Sequence, residues 1–262
     1  MAEVIIVSSE SEAGRLVAES ILELIATKPD AVLGLATGST PLPVYHELAA
    51  LATERGADFS RVRGFALDEY IGLPPGHPQS YRATIEREVV EPIGLNPALV
   101  HVPNGSLADI GHSGEDYERL IDSAGGIDLQ ILGIGTDGHI GFNEPGSSFE
   151  SRTRVKTLTQ QTRHDNARFF EHSDDVPLHS ITQGLGTIRR ARHLVLLAFG
   201  EQKAHAVAGA VEGPITASNP ASAIQLHPKT TLLLDSAAAA ELTNVDYYRF
   251  AWENRPEGHQ LL

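Results

Sequence analysis

The sequence predicts an α/β protein in a single domain, with a doubly wound, mostly parallel sheet and helices on both faces. Three observations predict it. Short apolar runs alternate with longer amphipathic stretches along the whole chain, the pattern of βα units. The 262 residues are 41% apolar and 21% charged, which suits one large buried core. No linker, internal repeat or low-complexity tract breaks the alternation.

Taken in order, Val4 to Val7 reads as a strand and Glu12 to Ala26 as an amphipathic helix, with Ser11 placed to cap it. Ala31 to Ala36 is a second buried strand, followed by a helix from Pro41 to Ala52 with the proline in its first turn. Arg63 to Leu67 is a third strand. Ser80 to Val90 reads as helix, Leu99 to Val102 as a short strand, Gly114 to Ala124 as helix and Leu129 to Leu132 as strand. From Gly133 to about Thr159 the chain is rich in Gly, Ser, Thr and Pro and lacks periodicity, so it is expected to be irregular and functional. The alternation resumes with a strand at His193 to Phe199, a helix at Gln202 to Val211, a strand at Thr230 to Leu234 and a helix at Ser236 to Leu242.

Charge and composition exclude several function classes. Thirty-four acidic against 20 basic residues give a net charge of −14, which repels nucleic acid and anionic membrane surfaces. An anionic substrate therefore needs a cradle of backbone N–H groups and a few placed cations. There is no cysteine, so disulfides, thiolate metal sites and cysteine nucleophiles are excluded, and a reducing cytoplasm is expected. The N-terminal stretch has no basic region or long apolar run of a signal peptide, and nothing approaches a membrane span.

Four constellations can carry chemistry. Thr37, Gly38, Ser39 and Thr40 lie between a buried strand and a helix start. There, small residues and a helix N-terminus can cradle a phosphate or simply cap the helix, and both readings stay open. Asp68 and Glu69 sit where a buried strand ends. Neighbours on an extended chain point to opposite faces, so only one carboxylate can aim into a cleft as a general base. Gly133, Gly135 and Gly138 spell the spacing of a dinucleotide-binding loop, but the run to Pro145 resists the helix that this motif requires. What remains is Asp137, His139 and Glu144 on a glycine-permitted turn, an imidazole that two carboxylates can orient and tune. One histidine and two acids match no firm metal-ligand spacing, so acid/base work ranks above metal binding. Finally, Arg168 and Lys203 are cations placed to reach a strand-end cleft, although each taken alone reads better as a solvated surface charge.

Together the stretches LGLATGSTP, FALDEYIGLPPGHPQSY, LGIGTDGHIGFNEPGSSFESRTRVKTLT, TRHDNARFF, ITQGLGTI, GEQKAHAV and IQLHPKTTLLLD closely resemble the glucosamine-6-phosphate deaminase family. They stand in the family's order over most of the chain from about Val32 to Asp235. The resemblance implies a Rossmann-like three-layer sandwich spanning residues 1–262, with a lid at about 154–183. It implies an isomerisation coupled to deamination that yields fructose 6-phosphate and ammonia, without metal or organic cofactor. By position, Asp68 matches the base that moves the C2 proton to C1. His139 matches the acid/base of ring opening, with Asp137 and Glu144 as its supporting carboxylates. Thr37, Gly38, Ser39, Thr40, Arg168 and Lys203 match the phosphate site. Ser147, Ser148, Arg154, Lys156 and Thr157 match an allosteric site of hexameric members. Trp252 to Leu262 does not match the tail of the allosteric members, and a homo-oligomer is not required of every member.

Two rivals follow. A 6-phosphogluconolactonase-like hydrolase would share the phosphate loop but have no C2 proton to move. A sugar-phosphate-sensing module would be expected to carry a basic DNA-binding segment, whereas this chain is acidic and begins at its first strand.

Overall fold

A computed structural model describes residues 2–256. The chain runs β1 (Glu3–Ile6), α1 (Glu10–Thr27), β2 (Val32–Leu35), α2 (Leu42–Arg55), β3 (Arg63–Ala66), β4 (Asp68–Tyr70), α3 (Tyr81–Ile85), α4 (Glu91–Ile93), β5 (Val100–His101), α5 (Ile110–Ser123) and β6 (Leu129–Leu132). It continues through β7 (Arg154–Thr157), α6 (Gln160–Asn166), β8 (His179–Thr182), α7 (Leu185–Ile188), β9 (His193–Ala198), α8 (Ala204–Val211), β10 (Thr230–Leu234) and α9 (Val245–Glu253). Seven strands form one parallel sheet in the order β1-β10-β9-β6-β2-β3-β5.

Every residue of β2, β6, β9 and β10 is buried. Successive side chains point to opposite faces, so both faces of these strands are covered. The order also sets the site. From β2 the chain winds one way to β3 and β5, then returns to β6 on the other side and winds away through β9 and β10. The loops after β2 and β6 diverge at this reversal, where ligands bind in such sheets.

A second sheet is absent from the sequence reading. Strands β4, β8 and β7 pair antiparallel in that order. The chain leaves the parallel sheet at Leu67, whose N–H donates to Leu35 and whose carbonyl accepts from Gln183, and enters the small sheet at Asp68. Tyr70, Phe142, Leu158 and Val176 form a small apolar cluster beside it, separate from the main core.

Several element expectations are corrected. Ser9, not Ser11, caps α1: it accepts from the Glu12 N–H at 3.1 Å, while Ser11 donates to Glu47. The expected helix from Ser80 to Val90 is α3 followed by a π turn at Glu86–Val90. The irregular stretch ending near Thr159 contains β7. Ser236 to Leu242 is a run of turns, not a helix: the Asp235 carboxylate takes the Ala238 N–H at 2.7 Å, and Glu212 holds Thr243 and Asn244. The helix comes later, as α9. Of the C-terminal stretch Trp252–Leu262, residues 257–262 lie outside the described residues.

Candidate active site

A cavity of about 300 Å³ opens at the sheet reversal. Of the residues singled out from sequence, it is lined by Thr37, Gly38, Ser39, Thr40, Asp68, His139, Arg168 and Lys203. Asp137 and Glu144 stand behind His139 rather than on the wall. Ser147, Ser148, Arg154, Lys156 and Thr157 are not on the cavity wall. Ser147 donates to the Glu144 carbonyl at 2.7 Å, and Arg154 Nη1 donates to Asn143 Oδ1 at 2.8 Å. Lys156 and Thr157 belong to β7.

The strand-end carboxylates divide as the alternation requires. Asp68 faces the cavity. Glu69 turns away and accepts from the Tyr70 and Tyr81 N–H groups at 2.8 Å and from Arg82 N–H at 2.9 Å, capping the start of α3. Asp68 is only 5% exposed. Burial, and then the nearby Glu69 charge, push its carboxyl up to about 8 against the pull of Thr182 and the Phe142 N–H. It is thus a carboxylate whose proton affinity lies near neutrality, as a general base requires.

The glycine run is shaped around His139. Gly135 N–H donates to the His139 carbonyl at 2.8 Å, and Gly138 N–H to the Gly135 carbonyl at 3.1 Å. A Cβ on Gly135 would fall 2.2 Å from the imidazole ring, so only glycine leaves room for it. Gly138 has φ of 84°, and a Cβ there would meet Asn219 Oδ1 at 2.3 Å. The apparent nucleotide motif is therefore a turn that seats a histidine.

His139 Nδ1 lies 2.7 Å from Asp137 Oδ1 and 3.8 Å from Glu144 Oε2. Asp137 also accepts the His139 N–H at 3.1 Å. Burial raises the Asp137 carboxyl, but the hydrogen bond and charge of His139 outweigh it and bring it down to about 2. A carboxylate on Nδ1 selects the tautomer with its proton there, leaving Nε2 free to exchange protons with a ligand in the cavity. Glu144 is 3% exposed and accepts the Thr159 N–H at 3.1 Å through Oε1. These three residues also bring their ligating atoms within 4.8 Å of one another. The 2.7 Å approach of Nδ1 to Asp137 is a hydrogen bond, however, shorter than the roughly 3.3 Å between two ligands on one tetrahedral cation.

At the other end of the cavity lie the loop Thr37 to Thr40, which leads into α2, and the two cations. Arg168 comes from the turn after α6 and Lys203 from the short turn between β9 and α8. Burial lowers the Lys203 ammonium, with Asp165 opposing and Arg168 reinforcing the shift. This is a built anion end in a chain of net charge −14. The sequence reading missed the aromatic wall. Tyr70 and Tyr81 pack with tilted rings 4.9 Å apart, Tyr70 and Phe170 meet edge-on at 5.6 Å, and Asn166 donates to the Tyr70 hydroxyl at 3.0 Å. It also missed Thr182, which the β8 pairing places opposite Asp68.

Comparison with known proteins shows which family the chain resembles in sequence and fold. Residues 8–233 match the family described as glucosamine-6-phosphate isomerases/6-phosphogluconolactonase. The chain is 58% identical over 265 aligned residues to a glucosamine-6-phosphate deaminase of Bifidobacterium longum (strain DJO10A), covering 98% of each. It is similar to the solved structure of a monomeric glucosamine-6-phosphate deaminase, with a TM-score of 0.89 and 42% identity, covering 91% of this chain and 99% of that one. A 6-phosphogluconolactonase from Trypanosoma brucei shares the fold at a TM-score of 0.74 and 20% identity, over 93% of this chain and 99% of that one.

Proposed function

The chain belongs to the family of glucosamine-6-phosphate isomerases and 6-phosphogluconolactonases, and we propose that its cavity converts glucosamine 6-phosphate and water to fructose 6-phosphate and ammonia. One observation carries this reading: two separate acid/base groups, Asp68 and His139, line one cavity that also holds an anion cradle. The phosphate sits on the Thr37–Thr40 backbone and hydroxyls, with Arg168 and Lys203 as its counter-charges. That anchor spends remote binding energy on placing the sugar carbons.

His139 opens the ring. Its Nε2 takes the proton of the C1 hydroxyl and returns one to the ring oxygen, giving the open-chain aldehyde. Asp137 and Glu144 are positioning residues that hold the imidazole and stabilise its charged form. Asp68 then takes the C2 proton. The electron pair becomes the C1–C2 double bond while the C1 oxygen takes a proton from the substrate's own C2 ammonium, relayed through the free Nε2 of His139. Asp68 returns its proton to C1, which leaves an iminium at C2. Water adds there and ammonia departs, leaving the ketone. Each step is a proton transfer, the addition of water or the loss of ammonia, and none changes the oxidation state of the whole, so no electron acceptor is needed. Lactone hydrolysis, the family's other activity, has no carbon-bound proton to move and would leave the raised base at Asp68 without a task.

Residues 154–183 act as a lid, since α6 and its flanks supply Asn166, Arg168 and Phe170 to the cavity. Ser147, Ser148, Arg154, Lys156 and Thr157 form a second anion site. An effector there would reach His139 through the loop carrying Asn143 and Glu144. The reaction runs in the cytoplasm, consistent with a chain without cysteine and, among the described residues, without a helix long and apolar enough to cross a membrane.

Ammonia release from glucosamine 6-phosphate tests the reading. The wild-type chain should release ammonia with kcat/KM rising with pH toward about 8 as Asp68 loses its proton. Asp68→Asn should lose activity by about 10²-fold or more. No release by the wild-type chain would overturn the function.

A further inference from the structure

Asp68 must serve twice in each turnover, once as a charged base and once as a neutral acid. Most hydrogen-bond donors can serve only the first state. A backbone N–H, whose proton cannot turn away, is such a fixed donor. Thr182 is different. It is fully buried, and the β4–β8 register sets it directly opposite Asp68. A Cβ on Gly141 would lie 3.0 Å from Thr182 Oγ1 and 3.4 Å from Asp68 Oδ2, so hydroxyl and carboxylate share one small space.

The hydroxyl's other contacts define what its proton can do. Thr182 Oγ1 accepts the Phe142 N–H at 3.1 Å, which uses one lone pair. Its single proton meets the Gln183 carbonyl at a long 3.4 Å, and the Asp68 carboxylate stands directly opposite it in the strand register as a second acceptor. That carbonyl already receives Asn143 Nδ2 at 2.8 Å, so it is the weaker of the two while Asp68 is charged. Once Asp68 is protonated it becomes a donor, and a hydroxyl still pointing at it would be a buried donor without a partner. Rotation to the Gln183 carbonyl removes that conflict and turns a lone pair of Oγ1 toward the new acid.

We propose, resting on the reading of Asp68 as the C2 base, that Thr182 is its positioning residue: a hydroxyl rotor that donates to the carboxylate and swings to the Gln183 carbonyl when Asp68 carries the substrate's proton. The rotor holds the carboxyl in one orientation through both states, so the proton taken from C2 is delivered to C1 from the same oxygen. The charged and titratable groups set around this pair are Glu69 and Tyr70 on β4, Tyr81 on α3, Tyr117 on α5 and Arg154, opposite Thr182 on β7. The tyrosine hydroxyls are engaged elsewhere, Tyr117 with the Ala66 carbonyl at 2.7 Å, Tyr81 with Tyr70, and Tyr70 with Asn166 at 3.0 Å, whereas Thr182 is set opposite Asp68 by the strand register.

The test is the pH profile of ammonia release for Thr182→Val and Thr182→Ser beside Asp68→Asn. Valine keeps the shape and removes the hydroxyl. It should lower kcat about ten-fold near neutral pH and move the acid limb up by about one unit, with KM little changed. Serine keeps the hydroxyl and should restore both. Thermal unfolding monitors each variant, and Thr182→Ala carries the same prediction if the valine variant does not fold. A wild-type profile in the valine or alanine variant, or no restoration by serine, would overturn the rotor while an inactive Asp68→Asn left the base in place. Full activity in Asp68→Asn would instead remove the base, and the rotor with it.

Discussion

Asp68 is held where the fold does not want it. Its carboxyl is raised from an ordinary 3.8 to about 8. Across that interval the folded chain keeps a proton that the unfolded chain has released. The stability this group contributes is therefore full below about 3.8 and lost as pH rises through about 8. Asp68→Asn, neutral at every pH, should melt higher than the wild type near pH 8, by about 3 °C or more, and the gap should narrow near about pH 5. Equal melting temperatures at both pH values would contradict it. Much at this scale was legible in the chain. Alternation alone separates Asp68 from Glu69, and Asp137 is close enough in sequence to be seen as the partner of His139. Thr182 was not legible, because its importance comes from a strand register. The run around it shows no alternation, since Ser180, Ile181 and Thr182 are all buried.

At the scale of elements, the parallel sheet could be read from its apolar runs, which are buried on both faces and therefore continuous. The small sheet could not. β4 and β7 are short, and β7 alternates half-buried with exposed residues, so neither rises above a polar loop. Helix α9 shows why the C-terminal region misled. Four alanines favour a helix at Ser236 to Leu242, but the chain there is bent by side-chain contacts. Glu212 accepts from Thr243 N–H at 2.7 Å, Thr243 Oγ1 at 2.6 Å, Asn244 N–H at 3.0 Å and the Tyr248 hydroxyl at 2.9 Å, and so fixes the start of α9. Burial raises its carboxyl, but these bonds outweigh it and hold it at about 2, below its ordinary 4.5. The clip is therefore complete above about 4.5 and is lost as pH falls toward about 2. Glu212→Gln, which keeps the shape but loses acceptors, should speed amide exchange in residues 245–253 while leaving ammonia release unchanged. Unaltered exchange would show that α9 is held by its packing on β1 alone.

At the scale of the whole molecule, the Thr37–Thr40 loop follows β2 and Lys203 follows β9, both strands of the large sheet, whereas Asp68 belongs to the small one. The aromatic cluster beside the small sheet, with Asn166 on the Tyr70 hydroxyl, ties α6 to the same unit. A unit with so few buried apolar contacts of its own opens at lower free energy than the main core. Hydrogen exchange should therefore be faster in residues 160–170 than in β9, and should slow there, but not in β9, when a non-reactive sugar phosphate is bound. Equal rates with and without the ligand would count against a lid.

The sheet change at Leu67 also bears on how such a protein can be altered over generations. Substitutions in the small sheet and its cluster leave the large core and the Thr37–Thr40 loop untouched. New proton chemistry can thus be tried without risking the fold, and a family that brackets isomerases with lactonases is what such a seam would let descend from one ancestor.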